Sequence, residues 1–132
     1  MNSILFDSFA LLRFFYQETG AEKVRDLLKE VTKNEVPRLI SALNVGELIY
    51  LIQRRSGETA KLQMLVSLKS LGFTILPCPN ELIFRAAELK ARFPMSYADT
   101  IAVASAIEHH ATLVTGDPEF RQVEHLVKIL WV

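Results

Sequence analysis

Ile4-Leu5-Phe6-Asp7-Ser8, close to the start of the chain, sets a pattern that the rest of the sequence repeats. Its three apolar residues predict a short β-strand, and helical periodicity follows from about residue 9 to residue 17. An apolar run followed by a helical pattern recurs along the chain. Strands joined by helices pair in parallel, because a tight hairpin cannot join parallel neighbours. The sequence therefore predicts an α/β fold.

The remaining predicted strands are short and lie between the helical segments. They cover about residues 36–40, 73–76, 112–114 and 128–131. Helices are predicted at about residues 9–17, 42–54 and 97–109, and apolar residues at helical spacing indicate further helices around residues 24–31, 62–68 and 82–87. We expect a three-layer α/β/α sandwich around a mostly parallel sheet of roughly five strands.

Composition is typical of a single globular domain. The chain has 132 residues, 50% of them hydrophobic, and its 15 Lys plus Arg balance its 15 Asp plus Glu. This content excludes disorder as the main state, and we expect one domain over residues 1–132. The longest segment without charge, residues 70–80, holds two prolines, so no membrane span is predicted and a cytoplasmic location is the default.

Several classes of site are excluded by what the sequence lacks. The single cysteine, Cys78, excludes an internal disulfide and a cysteine-cluster zinc site. Glycine patterns typical of P-loops and dinucleotide-binding folds are missing. The net charge of zero means that any nucleic-acid binding has to rest on a local patch or on metal ions.

Acidic residues stand where the predicted strands end. Only four of the fifteen acids are aspartates; Asp7 directly follows the first strand, and Asp117 comes three residues after Val114. In parallel α/β sheets ligands bind beyond the carboxyl ends of the strands, so both side chains should lie at the same edge. Glu47 and Asp99 fall on largely apolar helix faces, where burying a carboxylate is costly unless a cation or a donor meets it.

Glu47 lies in a helix that has apolar residues on two sides. The second side is formed by Leu43, Tyr50 and Leu51, which predicts that the helix is packed between two layers and that Glu47 is partly buried. Asn44 could instead cap this helix and form a capping box with Glu47.

The aspartates also have a purely structural interpretation. Asp7 and Asp117 suit helix N-caps, and Ser96 with Asp99 fits a capping box. If the acids act only as caps, the chain is a non-catalytic binding module. Taken together, however, four carboxylates at one edge of a sheet would repel one another unless they become protonated or bind cations. A site made only of oxygen ligands suits Mg²⁺ or Mn²⁺.

The order and setting of these acids resemble the PIN domain family of nucleases, most closely the small single-domain toxins of VapC type. The resemblance covers residues 4–120. Its segments are Ile4-Leu5-Phe6-Asp7-Ser8 with Ala10-Leu11-Leu12, Asn44-Val45-Gly46-Glu47, Ser96-Tyr97-Ala98-Asp99 with Ile101-Ala102, and Thr115-Gly116-Asp117-Pro118-Glu119-Phe120.

This resemblance implies an endoribonuclease that depends on Mg²⁺ or Mn²⁺ and acts as the toxin of a type II toxin–antitoxin pair. The implied partners are an RNA substrate, an antitoxin that occludes the site, and a second copy of the chain in a homodimer. The implied catalytic and metal-binding residues are Asp7, Glu47, Asp99 and Asp117, with Thr115, Ser8 and Asn44 as supporting polar residues. Arg13, on the helix directly after Asp7, is predicted to contact RNA.

Other functions remain open at this stage. A housekeeping RNA-processing nuclease with the same fold is one, and the non-catalytic module is another. A dehalogenase-like phosphatase is disfavoured because Phe9 stands where its second aspartate is required. A phospho-receiver is disfavoured because apolar residues 4–6 stand where its acidic pair is required.

Overall fold

The computed structural model describes residues 2–132, which form five β-strands, six α-helices and one 3₁₀ helix. The strands are β1 (Ile4–Phe6), β2 (Arg38–Ser41), β3 (Phe73–Leu76), β4 (Thr112–Thr115) and β5 (Ile129–Trp131). The α-helices are α1 (Ser8–Phe15), α2 (Ala21–Lys33), α3 (Ala42–Ser56), α4 (Glu58–Ser70), α5 (Asn80–Arg92) and α6 (Tyr97–Glu108), and the 3₁₀ helix spans Pro118–Val123.

The five strands form one sheet in the order β3-β2-β1-β4-β5, and every neighbouring pair is parallel. The chain builds outward from β1 to β2 and β3, and then returns to add β4 and β5 on the other side of β1. The strand order therefore reverses between β1 and β4, which is where open parallel sheets bind ligands. In the register of these two strands, Phe6 pairs with Val114.

Helices cover both faces of the sheet, as the α/β/α prediction requires. Side chains alternate along β1, so Ile4 and Phe6 join the core under α1 to α4, whereas Leu5 packs in the core under α6. α5 lies against α6 through Leu82 and Ala86. No helix within residues 2–132 is long and apolar enough to cross a lipid bilayer.

Two predicted boundaries are wrong for one physical reason. The helix predicted to reach residue 17 ends at Phe15, and the strand predicted from residue 36 begins at Arg38. Each helix closes through a residue in a left-handed conformation. After α1, Gln17 (φ 52°) lets the Glu18 N–H donate to the Arg13 carbonyl. After α2, Glu35 (φ 54°) lets the Val36 N–H donate to the Val31 carbonyl. The turn after α2 uses the backbone donor that a longer β2 would need.

The expectation that α3 is packed between two layers is wrong in part. Val45, Leu48 and Ile52 are buried, but Leu43 and Tyr50 on the other side are 39% and 47% exposed. α3 therefore has one packed face and one partly exposed apolar face. Glu47 lies at the border between them and is half-buried, as predicted.

Candidate active site

Asp7 occupies the first position after β1 and is almost entirely buried, at 2% exposure. It caps α1, because its Oδ1 accepts a hydrogen bond from the Ala10 N–H at 2.8 Å. Its Oδ2 accepts a 2.6 Å hydrogen bond from the Thr115 hydroxyl. Asp7 therefore caps α1, as predicted, and it also lies at the edge of the sheet where the strand order reverses.

Thr115 connects Asp7 to Asp117. While its hydroxyl donates to Asp7, its Oγ1 accepts a hydrogen bond from the Asp117 N–H at 3.1 Å. Thr115 is completely buried at the end of β4. Its two hydrogen bonds fix the position of Asp7, at the end of β1, relative to Asp117, after β4. Asp117 also caps the 3₁₀ helix by accepting from the Glu119 N–H at 2.9 Å, as the sequence predicts.

Glu47 is oriented by two polar side chains. Its Oε1 accepts from the Ser8 hydroxyl at 2.7 Å and from the Asn44 amide at 3.0 Å. Within residues 2–132 no hydrogen bond reaches its second oxygen, which is left available for another ligand. Ser8 and Asn44, predicted as supporting polar residues of the acidic cluster, thus both contact Glu47.

The interpretation of Asn44 as a helix cap is wrong. Ser41 caps α3, and its Oγ accepts from the Asn44 N–H at 3.1 Å while donating to the Asn44 Oδ1 at 2.7 Å. Both residues are fully buried. Since the Asn44 carbonyl oxygen is bound to Ser41, its NH₂ group is directed to Glu47.

Asp99 lies in the first turn of α6, where its backbone N–H donates to the Ser96 cap at 3.1 Å. Ligand oxygens of Asp99, Asp117 and Glu119 all lie within 4.8 Å of one another. Glu119 is a residue that the sequence analysis did not single out. The only indication of Glu119 in the sequence is that it is a second carboxylate two positions after Asp117. This indication is weak, because acidic side chains are common in exposed segments and Glu119 is exposed.

The charges of this cluster act on one another. The pKa of Asp7 is raised from 3.8 to about 7, mainly by burial; the hydrogen bonds from Thr115 and Ala10 oppose this rise, and the charges of Asp99 and Asp117 contribute to it. The pKa of Asp99 is raised to about 6, again mainly by burial, with Ser96 opposing the rise and Asp117, Glu47 and Glu119 contributing to it. The acids from separate elements therefore form one electrostatic unit.

This donor set fits a hard divalent cation. Its five carboxylates are Asp7, Glu47, Asp99, Asp117 and Glu119. No histidine or cysteine joins the acidic groups found within residues 2–132, and oxygen-only sites favour Mg²⁺ or Mn²⁺. The raised pKa values fit the same ligand, because a bound cation would offset both the burial and the mutual repulsion that disfavour ionisation of Asp7 and Asp99.

The fold and the acids together define a parallel α/β domain with a carboxylate centre at the reversal of strand order, a combination typical of metal-dependent phosphoryl chemistry. Comparison with known families identifies it further, because the PIN domain family model matches residues 4–126. The chain belongs to the PIN domain family, a family of nucleases. No curated protein matches the chain in sequence.

Solved structures with the same fold come from several bacteria. A chain of VapBC2 from Rickettsia felis, bound to a promoter DNA fragment, aligns with a TM-score of 0.75 and 17% identity over 98% of both chains. The Mycobacterium tuberculosis toxin VapC20, described as cleaving the sarcin–ricin loop, aligns with a TM-score of 0.72 and 18% identity over 92% of this chain and 95% of that one. FitAcB from Neisseria gonorrhoeae gives 0.71 and 21% over 96% of each.

Proposed function

We propose that this protein is a divalent-metal-dependent endoribonuclease and the toxin of a type II toxin–antitoxin pair. The observation that carries the proposal is the convergence of five carboxylates, from four separate parts of the chain, at the point where the strand order reverses. The family is one of nucleases, and a structural neighbour that aligns over more than nine-tenths of both chains is described as a toxin that cleaves the sarcin–ricin loop.

Asp7, Glu47, Asp99 and Asp117 would hold the metal, with Glu119 as an additional ligand on the exposed side. Bound Mg²⁺ or Mn²⁺ supplies the Lewis acidity that polarises a phosphodiester and lowers the pKa of attacking water. Thr115 keeps Asp7 and Asp117 in register, and Ser8 with Asn44 directs Glu47. We expect products with 5′-phosphate and 3′-hydroxyl ends, because water rather than the ribose 2′-hydroxyl attacks.

The housekeeping nuclease and the non-catalytic module are the alternatives to this proposal. Caps alone do not explain the site, because capping does not require Glu47 to meet two side-chain donors or require three further carboxylates to converge. The toxin is favoured over the housekeeping enzyme because the fold is shared with chains described as parts of toxin–antitoxin systems.

The partner proteins belong to the proposal as well. Val66 on α4 and Phe84 on α5 are 66% and 63% exposed. We expect an antitoxin and a second copy of the chain to cover these side chains. A structural neighbour from Klebsiella pneumoniae is a toxin–antitoxin complex.

The function is tested by cleavage of mixed cellular RNA. The wild-type chain should produce discrete fragments with Mg²⁺ or Mn²⁺ and none with chelator, and Asp99→Asn should be inactive under all conditions. Single-stranded DNA in the same range of lengths, offered under the same conditions, tests whether the substrate is RNA or DNA. Expression in a bacterium should stop growth for the wild type and not for Asp99→Asn. Metal-independent cleavage, or equal growth with both chains, contradicts the proposal.

A further inference from the structure

Arg13 extends from α1 to the loop that joins Thr115 to Asp117. Its Nη1 lies 3.5 Å from the position that a Cβ atom on Gly116 would occupy. Side chains on a helix point back toward its N-terminus, and the N-terminus of α1 is capped by Asp7. The guanidinium therefore lies next to the loop that carries Thr115 and Asp117, two residues of the site.

Two contacts fix the guanidinium in this position. It stacks over the Phe9 ring, with Cζ 4.2 Å from the ring centroid, and Nη1 donates a 3.4 Å hydrogen bond to the Thr19 carbonyl. Phe9 and Arg13 are one helical turn apart, which brings their side chains together. A stacked guanidinium loses less conformational freedom on binding a ligand than a free arginine loses.

Most N–H groups of the Arg13 guanidinium are available to a ligand. The ion pairs found within residues 2–132 are Arg25 with Asp26 and Arg55 with Glu18, so no carboxylate oxygen of these residues lies within 4 Å of the Arg13 guanidinium. A guanidinium has five N–H donors, and Thr19 uses only one group. An unpaired, half-buried cation next to an acidic metal site is suited to a ligand that is itself anionic.

Gly116 is required by its contact with Val132. A Cβ atom there would lie 2.9 Å from the Val132 carbonyl oxygen, which is too close, and 3.5 Å from Nη1 of Arg13, which is an ordinary van der Waals distance. The loop that bears Thr115 and Asp117 therefore packs directly against Val132 and the guanidinium.

We propose that Arg13 binds a phosphate of the RNA strand beside the carboxylate cluster, a role that rests on the proposed ribonuclease function. A guanidinium can donate two parallel hydrogen bonds to a phosphate, which adds geometric selection to charge. The carboxylates repel a nucleic acid wherever no cation intervenes, so a fixed positive group at their border would hold the strand in register.

A merely structural role for Arg13 makes different predictions. In that case the residue joins α1 to the following turn through Thr19, and its loss lowers stability and disturbs the metal site. In the proposed role, its loss changes RNA binding and leaves the response to Mn²⁺ unchanged. Arg54, which stacks on Tyr50 with Cζ 5.4 Å from the ring centroid, provides a matched control because it lies at the far end of α3 from Glu47.

The test measures binding of a fluorescein-labelled, mixed-sequence, single-stranded RNA of about 20 nucleotides by anisotropy. The Asp99→Asn chain is used with excess Mn²⁺, so that the RNA is not cleaved. Adding Arg13→Gln should weaken binding roughly 10-fold, as for loss of a hydrogen bond between charged groups. The slope of log affinity against log salt should become shallower by about 0.7, one phosphate contact on a single strand. Arg13→Lys should give an intermediate affinity, and Arg54→Gln should have little effect.

Three outcomes would overturn the role of Arg13. Equal effects of Arg13→Gln and Arg54→Gln would overturn the role of Arg13 while leaving the ribonuclease proposal intact. The unfolding midpoint is measured in the single variants Arg13→Gln and Arg54→Gln, which retain Asp99. Loss of the Mn²⁺-induced rise in Arg13→Gln, with the rise retained in Arg54→Gln, would also overturn the role of Arg13, because the residue would then act through the metal site. If the wild-type chain responds to Mn²⁺ but no chain binds RNA at low salt, RNA is the wrong substrate and both proposals fail.

Discussion

Asp7 and Asp99 are carboxylates of one site, yet the protein holds them in different ways. Asp7 is 2% exposed, and both of its oxygens accept hydrogen bonds from groups in the core. Asp99 is half-exposed at the start of a helix and is supported by the Ser96 cap, without a tie to another strand. Asp117 and Glu119 share the outer position of Asp99.

This difference separates two tasks within the site. The inner carboxylate is part of the fold, since it caps α1 and joins β1 to β4 through Thr115. Among the outer carboxylates Asp117 caps the 3₁₀ helix, whereas Asp99 and Glu119 join no two strands within residues 2–132, and bringing the three together costs repulsion. We therefore expect substitutions of Asp7 to affect both stability and metal binding, and substitutions of Asp99 and Glu119 to affect metal binding alone.

The largest effect is expected for Asp7→Asn. The amide oxygen can still cap α1, so the chain should remain folded, but the neutral side chain should lower Mn²⁺ affinity at least about 100-fold, more than the loss of a supporting group does. Isothermal titration calorimetry measures this change. Asp26→Asn, on the exposed part of α2, is the matched control and should bind Mn²⁺ like the wild type.

Thr115→Val should have the next largest effect, because it removes both hydrogen bonds of the buried link. Stability should fall by about 1–3 kcal/mol, since the Asp117 N–H loses its partner and Asp7 loses a donor. Mn²⁺ affinity should fall roughly 10- to 100-fold. Thr112→Val, at the other end of β4, should change affinity little. An equal loss of affinity in the two variants would show that Thr115 acts only through strand packing.

The pH dependence of stability should have opposite signs with and without metal. The folded pKa of Asp7, about 7, exceeds the ordinary 3.8, so the native state binds more protons between these values. In chelator, stability should therefore fall as pH rises from about 4 to about 7, and the pKa of Asp99, about 6, adds to the same trend. With excess Mn²⁺ the trend should reverse, because metal binds the ionised carboxylates.

Thermal unfolding in chelator at about pH 5 and about pH 8 measures this dependence. Asp7→Asn should reduce the difference between the two midpoints, since it removes the most strongly shifted group. An unchanged difference would mean that other residues dominate the pH dependence and that the inner carboxylate is ordinary.

Glu119→Gln should have the smallest effect among these substitutions. The side chain is exposed and stands at the border of the outer group, so we expect a loss of Mn²⁺ affinity of only a few-fold and no change in stability. Glu124→Gln, also exposed and just beyond the 3₁₀ helix, should have no effect. A loss as large as that of Asp7→Asn would place Glu119 among the main ligands and would remove the distinction between inner and outer acids.

The sequence predicts the features that depend on local pattern. β3 was predicted at its observed bounds, and Asp7, Asp117 and Ser96 cap helices as their spacing suggests. The fold class follows from the alternation of strands and helices, and the parallel sheet confirms it.

Features that depend on tertiary packing could not be read in the same way. Asn44 and Ser41 are both good caps by type, and only the folded geometry shows that Ser41 caps α3 and orients Asn44 toward Glu47. Glu119 joins the acids through the turn of a short 3₁₀ helix that carries no strong sequence signal. The metal-binding and catalytic roles of these residues remain predictions.

The most direct test of the metal centre is thermal unfolding of the wild type and of Asp99→Asn, each in chelator and in excess Mn²⁺. Mn²⁺ should raise the wild-type midpoint by several degrees, because a ligand at about 100 times its dissociation constant adds about 2.7 kcal/mol. Asp99→Asn should lose most of this rise and should be as stable as the wild type in chelator, since it relieves repulsion among the outer acids. If Mn²⁺ changes neither midpoint and Asp99→Asn costs about 1 kcal/mol in both buffers, the carboxylates serve as helix caps and the account of a metal-dependent nuclease is contradicted.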